Sequence, residues 1–194
     1  EQEMLLGIGG VRALQAAGYA PAAYHLNEGH VAFAALEVIH ELMQKHSMPF
    51  EEARQKAASI IGFTTHTPVP EGNERFEERL VREYLEPYFA SFLGSQDRDK
   101  IFDLARNHEN VFDMTKLALL SSAVFRNGVS ALHGDVCRRM WGYVWGNPDP
   151  EGNGVPISSI TNAVHVPYWQ KPILRKQIES LGGIEKVSEI ADEE

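Results

Sequence analysis

The chain has 194 residues, 43% of them hydrophobic and 23% charged, which is ordinary for a globular protein long enough to bury a core as one domain. Its formal net charge of −9 argues against broad binding to nucleic acids or anionic membranes. The single cysteine, Cys137, excludes an internal disulfide and fits a reducing, cytoplasmic compartment, and no stretch is apolar and long enough to cross a membrane.

The first residues read as the middle of a helix, without a signal peptide, so we expect a piece of a longer protein. Within this stretch Gly7-Ile8-Gly9-Gly10 resembles the start of a dinucleotide-binding fingerprint. Arg12 stands where the third glycine belongs, and too few residues precede the motif to form a strand. We therefore expect these glycines to loosen or end a packed helix.

The next segments alternate between strand and helix patterns. Residues 20–26 form an apolar run, and apolar side chains at helical spacing predict a helix over 31–45. A second helix is expected to begin near Ser47, with that serine as its cap, and to lead into a strand over 59–63. Strand, helices and strand in this order predict a parallel crossover unit.

The remaining elements follow the same logic. We predict a helical stretch over 73–92 interrupted at Pro87, a polar break over 94–100, and helices from 101, over 114–125 and over 129–141. A surface loop over 146–156 is followed by a strand over 157–164 and a turn over 166–169. A helix over 172–181 and a frayed tail over 188–194 end the chain. The fold class is α/β: a helix-rich, Rossmann-like domain with a parallel sheet.

One run of residues carries the clearest functional signal. The apolar stretch that ends at Phe63 is followed by Thr64-Thr65-His66-Thr67, and Pro68 and Pro70 prevent a regular continuation. In open α/β sheets, ligands bind where the carboxyl ends of strands open into loops. Three hydroxyls and one imidazole suit a polyhydroxyl ligand. The alternative is a capped strand-to-helix turn with a structural histidine.

A second polar turn offers a carboxylate between two imidazoles. His25 and His30 are five residues apart across a turn, which is not the i, i+4 spacing of a helical zinc pair, and no further ligand completes a site with them, so we expect no metal. Glu28 lies beside Gly29 at a helix start, where it either accepts hydroxyls from a ligand or simply caps the helix.

Two further candidates lie on the helix over 129–141. Cys137 has Arg138 and Arg139 nearby, as a nucleophilic thiol requires, but a buried inert cysteine fits its amphipathic helix better. His133 either faces the same pocket as His66 or fills a helix contact.

Four motifs together resemble one family. They are His25-Leu26-Asn27-Glu28-Gly29-His30, the run from Phe63 to Phe76, Asn127-Gly128-Val129-Ser130-Ala131-Leu132-His133-Gly134, and Thr161-Asn162-Ala163-Val164-His165-Val166-Pro167. In this order they look like α-glucan phosphorylases, with the closest likeness to the shorter bacterial and archaeal type. The resemblance covers nearly the whole chain, as an interior part of the N-terminal domain.

The resemblance implies a role for five residues. His66 matches the histidine that contacts the glucosyl unit and its 6-hydroxyl, with its backbone carbonyl near the reacting carbon. Asn162 matches a second contact to that hydroxyl, and Val129 an apolar contact on the same sugar. Glu28 and His30 match residues lining the pocket beside the anomeric centre.

The neighbour of Asn162 departs from the family pattern, because Ala163 stands where glycine is usual. If that position requires a positive φ, the alanine is strained and Asn162 is displaced.

The same resemblance implies a two-domain GT-B architecture in which residues 1–194 form part of the N-terminal domain and the C-terminal, cofactor-binding domain is absent. The full enzyme transfers glucosyl units from α-1,4-glucan to orthophosphate with pyridoxal phosphate, which we do not expect to bind this chain. By itself the chain is expected to be inactive. An uncovered sheet edge predicts self-association into a homo-oligomer.

Two alternatives stay open from the sequence. One is a non-catalytic carbohydrate-binding or assembly domain that keeps the sugar-facing turns. The other is a sugar-nucleotide glycosyltransferase of the same architecture, whose donor nucleotide would bind outside this chain.

Overall fold

The computed structural model describes residues 1–183, so the tail over 188–194 lies outside the described residues. The chain divides into two compact units, Glu1–Thr161 and a second unit that begins at Asn162. Within residues 1–183, no helix has the length and apolar character needed to span a membrane.

The strands are β1 (Tyr24–Asn27), β2 (Ile61–Thr64), β3 (Arg75–Phe76), β4 (Phe112–Asp113), β5 (Arg126–Gly128) and β6 (Ser158–Ser159). The helices are α1 (Gln2–Met4), α2 (Gly10–Ala16), α3 (Phe33–His46), α4 (Phe50–Ala58), α5 (Glu78–Phe89), α6 (Ser95–Ala105), α7 (Met114–Leu120), α8 (Ala131–Trp141), α9 (Val166–Trp169) and α10 (Pro172–Ser180). A π-helical segment, Leu5–Gly9, joins α1 to α2.

Four strands of the first unit form one parallel sheet in the order β1-β2-β5-β6. The pairs Asn27↔Thr64, Thr64↔Asn127 and Asn127↔Ser158 set the register at its carboxyl end. All four residues of β2 are buried, as expected of a strand covered on both faces. The predicted helix-rich α/β class with a parallel sheet is confirmed.

The glycines of the first helical segment permit a close approach. Gly7 and Ile8 are buried in the π-helical segment. A Cβ atom on Gly7 would lie 2.7 Å from the backbone nitrogen of Ala34, so only glycine lets this segment pack against the start of α3. The expectation of a packed helix is confirmed.

Three helix predictions were wrong in their limits. Ser47 does not cap α4: it has φ 52° and ends α3 in the left-handed conformation, and α4 begins after Pro49. The helix is not interrupted at Pro87: the proline removes one hydrogen bond from the last turn of α5, and the helix continues to Phe89. The region 94–100 is not a break, because Gly94 immediately precedes α6.

The structure also contains a two-stranded antiparallel ribbon that the sequence did not predict. Arg75 pairs with Asp113 and Phe76 with Phe112, and the backbone nitrogen of Met114 donates to the carbonyl of Glu74 at 3.1 Å. These bonds engage backbone groups that the predicted helix over 73–92 required, so α5 starts only at residue 78.

The strand predicted over 157–164 is shorter than expected. It forms only β6, whose two residues pair with Asn127 and Gly128, where β5 ends. The turn predicted over 166–169 is the short helix α9, and the predicted helix over 172–181 corresponds to α10.

Candidate functional site

The carboxyl ends of β1, β2 and β5 bring three polar turns to one edge of the sheet. The turns begin with Glu28 after β1, Thr65-His66 after β2 and Val129 after β5. The His66 side chain is exposed, whereas Glu28 and Val129 are half-buried. This edge is where open parallel sheets bind ligands.

The backbone of Glu28 is strained. Its φ of 76° and ψ of 164° lie in a region that is essentially reserved for glycine. A residue with a side chain held there costs about 1–3 kcal/mol and persists only where its surroundings enforce it. The backbone nitrogen of Glu28 donates to the carbonyl of Thr64 at 2.9 Å, so the hydrogen bonding between β1 and β2 continues to Glu28, where the turn begins.

The carboxylate of Glu28 binds the turn that follows β2. Its Oε1 atom accepts hydrogen bonds from the backbone nitrogen of His66, from Thr67 Oγ1 at 3.1 Å and from Thr65 Oγ1 at 3.5 Å. Its Oε2 atom accepts from the backbone nitrogen of Gly29 at 3.3 Å. One side chain therefore holds three consecutive residues that are about 38 positions away in sequence.

The imidazole of His66 is held by the residue before Glu28. Its Nε2 atom lies 2.6 Å from Asn27 Oδ1. Because an amide oxygen only accepts hydrogen bonds, Nε2 carries a proton in this contact, and in the corresponding neutral tautomer Nδ1 is an acceptor. The exposed side chain thus presents one acceptor nitrogen in a fixed orientation.

A chain of hydrogen bonds crosses the three strands beneath this turn. His25 Nε2 lies 2.8 Å from Thr64 Oγ1, which donates to Asn127 Oδ1 at 2.8 Å. The Asn127 amide nitrogen then donates to the carbonyl of Gly128 at 3.1 Å. His25 is therefore engaged by Thr64, and residues 1–183 contain no set of three or more histidine, cysteine, aspartate or glutamate side chains placed to hold a metal ion.

The turn after β5 has its own internal support. Ser130 caps α8 by accepting from the backbone nitrogen of His133 at 3.1 Å. The buried ring of His133 accepts from the backbone nitrogen of Val129 through Nδ1, also at 3.1 Å. Of the two roles considered for His133, the structure supports the helix and turn contact.

A polar cavity of about 80 Å³ lies beside Glu28 and His30. It is also lined by Gly29, Thr67, Gly72, Asn73, Glu74 and Thr115. Burial raises the pKa of Glu74, and the Glu3 carboxylate raises it further. Glu74 Oε2 is buried and has no hydrogen-bond partner among the described residues. Glu74 was not predicted as a site residue, although it belongs to the Phe63–Phe76 run that carries the clearest functional signal in the sequence.

The fifth predicted residue belongs to the second unit. Asn162 is exposed there, next to the unit boundary. Ala163 is not among the residues with positive φ in the described part of the chain, so the strain considered for it is not observed. The structure thus joins Glu28 to the His66 turn, lines one cavity with Glu28 and His30, and places Val129 on the neighbouring strand end.

Comparison with known proteins identifies similar sequences. The family model described as carbohydrate phosphorylase matches residues 18–141. A glycogen phosphorylase of Mycobacterium tuberculosis strain CDC 1551 is 40% identical over 182 residues, which cover 89% of this chain and 21% of that protein. A maltodextrin phosphorylase of Thermococcus litoralis is 39% identical over 180 residues, covering 92% of this chain and 20% of that protein.

A more distant relative is also matched over only part of its length. A glycogen phosphorylase of Aquifex aeolicus is 28% identical over 184 residues, which cover 94% of this chain and 25% of that protein. The chain therefore spans about a fifth to a quarter of the length of these relatives.

Proposed function

Since this chain belongs to the carbohydrate phosphorylase family, we propose that it forms the glucosyl-binding wall of an α-glucan phosphorylase. In this proposal residues 1–194 are part of the N-terminal domain of a GT-B enzyme. The enzyme transfers a glucosyl unit from α-1,4-glucan to orthophosphate. The observation that carries the proposal is the His66 turn, fixed through its backbone and its ring at the carboxyl edge of the sheet.

His66 has two roles in this reaction. Its Nδ1 atom accepts a hydrogen bond from the primary hydroxyl of the glucosyl unit, because Nε2 is bound to Asn27. Its backbone carbonyl presents a fixed dipole to the carbon at which positive charge develops. A dipole oriented before the reaction stabilises that charge without the cost of reorganisation.

The other proposed contacts surround the same sugar. Val129 packs against an apolar face of the glucosyl unit, and its turn is supported by the ring of His133. His30 lines the pocket beside the anomeric carbon, with the backbone of Glu28 at its side. The contact expected from Asn162, which belongs to the second unit, stays a prediction.

The cofactor of the proposed enzyme, pyridoxal phosphate, does not fit the residues of this edge. Within the described chain, the cavity there is lined by Glu28 and Glu74, and neither lysine nor arginine lines it. Two carboxylates disfavour a phosphate group, and a lysine is required to hold the aldehyde. We therefore assign the cofactor to residues outside this chain and derive no step through it.

The test is a chimera in which this chain replaces the matching 180 residues of the Thermococcus litoralis maltodextrin phosphorylase. We expect the chimera to phosphorolyse maltodextrin and His66→Ala to lower its kcat/KM roughly tenfold or more, since the bond to the sugar hydroxyl is lost. The control is His46→Ala, an exposed histidine at the far end of α3.

Two results would contradict the proposal. One is a folded chimera that binds maltodextrin without phosphorolysis, which favours a non-catalytic carbohydrate-binding domain. The other is a His66→Ala chimera with the same turnover as the His46→Ala control.

A further inference from the structure

We propose that Glu28 is a positioning residue, whose carboxylate fixes the turn that presents His66 to the glucan. This inference rests on the proposed function and assigns Glu28 a role other than contacting the sugar directly. It is carried by the conformation of the Glu28 backbone and by the hydrogen bonds of its side chain.

The backbone is held on both sides of Glu28. On one side, the backbone nitrogen of Glu28 is held by the carbonyl of Thr64 in the sheet. On the other side, Gly29 is buried so closely that an added Cβ would lie 2.6 Å from Thr115 Oγ1. The turn between them has the positive φ that glycine adopts without strain. The glutamate side chain at this point therefore carries a conformational cost that needs an explanation.

The Glu28 carboxylate accepts hydrogen bonds from donors on both sides of the His66 backbone. Oε1 accepts from the backbone nitrogen of His66 and from the hydroxyls of Thr65 and Thr67, the residues on either side of it. The backbone nitrogen of His66 and the hydroxyl of Thr67 bind the same Glu28 oxygen. The His66 carbonyl lies between these two groups and is therefore held in one orientation. Asn27 fixes the ring of the same histidine, so two consecutive residues at the end of β1 control both its backbone and its side chain.

The ordinary role of a helix-capping acid accounts for only one of these contacts. The bond from the Gly29 nitrogen to Glu28 Oε2 is long, at 3.3 Å, and it precedes a single 3-10 turn, Gly29–Val31. The three bonds to Oε1 come from the turn that follows β2 and do not cap the helix.

Hydrogen exchange of the 194-residue chain, followed amide by amide by NMR, tests the contact itself. In Glu28→Ala the His66 amide should exchange roughly tenfold faster or more, because it loses a charged acceptor. The control is the Thr65 amide, which donates to the carbonyl of Asn127 at 3.0 Å and should keep its protection. In Glu28→Gln, which keeps an oxygen acceptor, His66 should retain most of its protection. An unchanged His66 exchange rate in Glu28→Ala would overturn the proposal.

A comparison of Glu28→Gly with Glu28→Ala tests the strain. Both variants lose the carboxylate, but only glycine adopts the backbone conformation without cost. The Glu28→Gly chain should therefore melt about 3 °C or more above the Glu28→Ala chain. Equal melting temperatures would show that the backbone at residue 28 is not strained.

Turnover of the chimera separates this inference from the proposed function. Glu28→Ala and Glu28→Gly should lower kcat about tenfold or more with a smaller change in KM, and Glu28→Gln should restore part of the loss. If His66→Ala impairs the chimera but Glu28→Ala does not, the positioning role is wrong and the proposed function stands. If His66→Ala has no effect either, the proposed function itself fails.

Discussion

At the scale of single residues, Cys137 shows how burial decides between two chemistries. The side chain is fully buried in α8, and this burial raises the pKa of the thiol to about 12. Arg138 is close enough to oppose the shift but does not outweigh the burial. The burial expected for Cys137 is confirmed, and a thiol with this pKa and burial is predicted to be protonated at neutral pH and unreactive.

This predicts the alkylation behaviour of the chain. At pH 8 under native conditions, iodoacetamide should modify Cys137 at least about a hundredfold more slowly than it modifies a free thiol, whose ordinary pKa is about 8.5. In guanidinium chloride the rate should rise to the free-thiol value. Intact-mass spectrometry over time measures both rates. Rapid, stoichiometric labelling of the native chain would contradict the buried, protonated state.

The same scale shows what the sequence could reveal about the site. The cluster of hydroxyls around His66 was visible because three polar residues end an apolar run. Glu28 stood out as an acid beside a glycine, and its contact with the Gly29 nitrogen agrees with a capping role. Its bonds to the His66 turn could not be predicted, because they depend on which strands pair and in what register.

At the scale of elements, the ribbon of β3 and β4 contains a buried carboxylate, that of Asp113. Asp113 is fully buried, caps α7 by accepting from the Lys116 nitrogen at 2.9 Å, and lies 3.3 Å from Arg75 Nε. Burial raises the pKa of Asp113 despite this hydrogen bond and this positive charge. Holding the side chain ionised in the folded chain therefore costs free energy.

Two substitutions separate the cap from the charge. Asp113→Ala should destabilise the chain by about 1–3 kcal/mol at pH 7, because the helix loses its cap and Arg75 loses a partner. Asp113→Asn keeps a capping oxygen without the charge and should be neutral or stabilising at pH 7. Urea unfolding curves of the three chains measure these differences.

The pH dependence of the Asp113→Asn effect has a definite sign. The folded pKa of Asp113 is raised, so its contribution to stability is complete below the ordinary pKa of 3.8 and is lost as the pH rises through the folded value. The advantage of the asparagine should therefore grow between pH 4 and pH 7. An advantage that shrinks over this interval would show that the ion pair with Arg75 outweighs the burial.

The elements themselves were predictable where the local pattern is strong. The buried strand β2 and the helix α3 follow from apolar runs and helical spacing. The ribbon of β3 and β4 did not, because two-residue strands carry no periodicity and form only through distant partners. The strand predicted at β6 was too long, because β6 pairs only with the last two residues of β5 and nothing in its own composition marks where pairing stops.

At the scale of the whole molecule, the sheet order explains how separate motifs become one surface. The four strands lie side by side in their chain order and point the same way, so the turns after β1, β2 and β5 share an edge. The self-association expected from an open sheet edge stays a prediction. The GT-B partner domain and the cofactor likewise belong to the proposal, because the chain spans about a fifth of the length of the Mycobacterium tuberculosis and Thermococcus litoralis relatives.

The central claim is that this edge contacts an α-1,4-glucan, and an NMR titration of the chain with maltoheptaose tests it most directly. We expect weak binding, with a Kd on the order of millimolar, since one wall leaves much of the ligand in water. Amide shifts should change at Thr65, His66, Thr67 and Val129, vanish in His66→Ala, and be absent with the β-linked cellohexaose. Shifts that spare these residues, or that cellohexaose reproduces, would contradict the account.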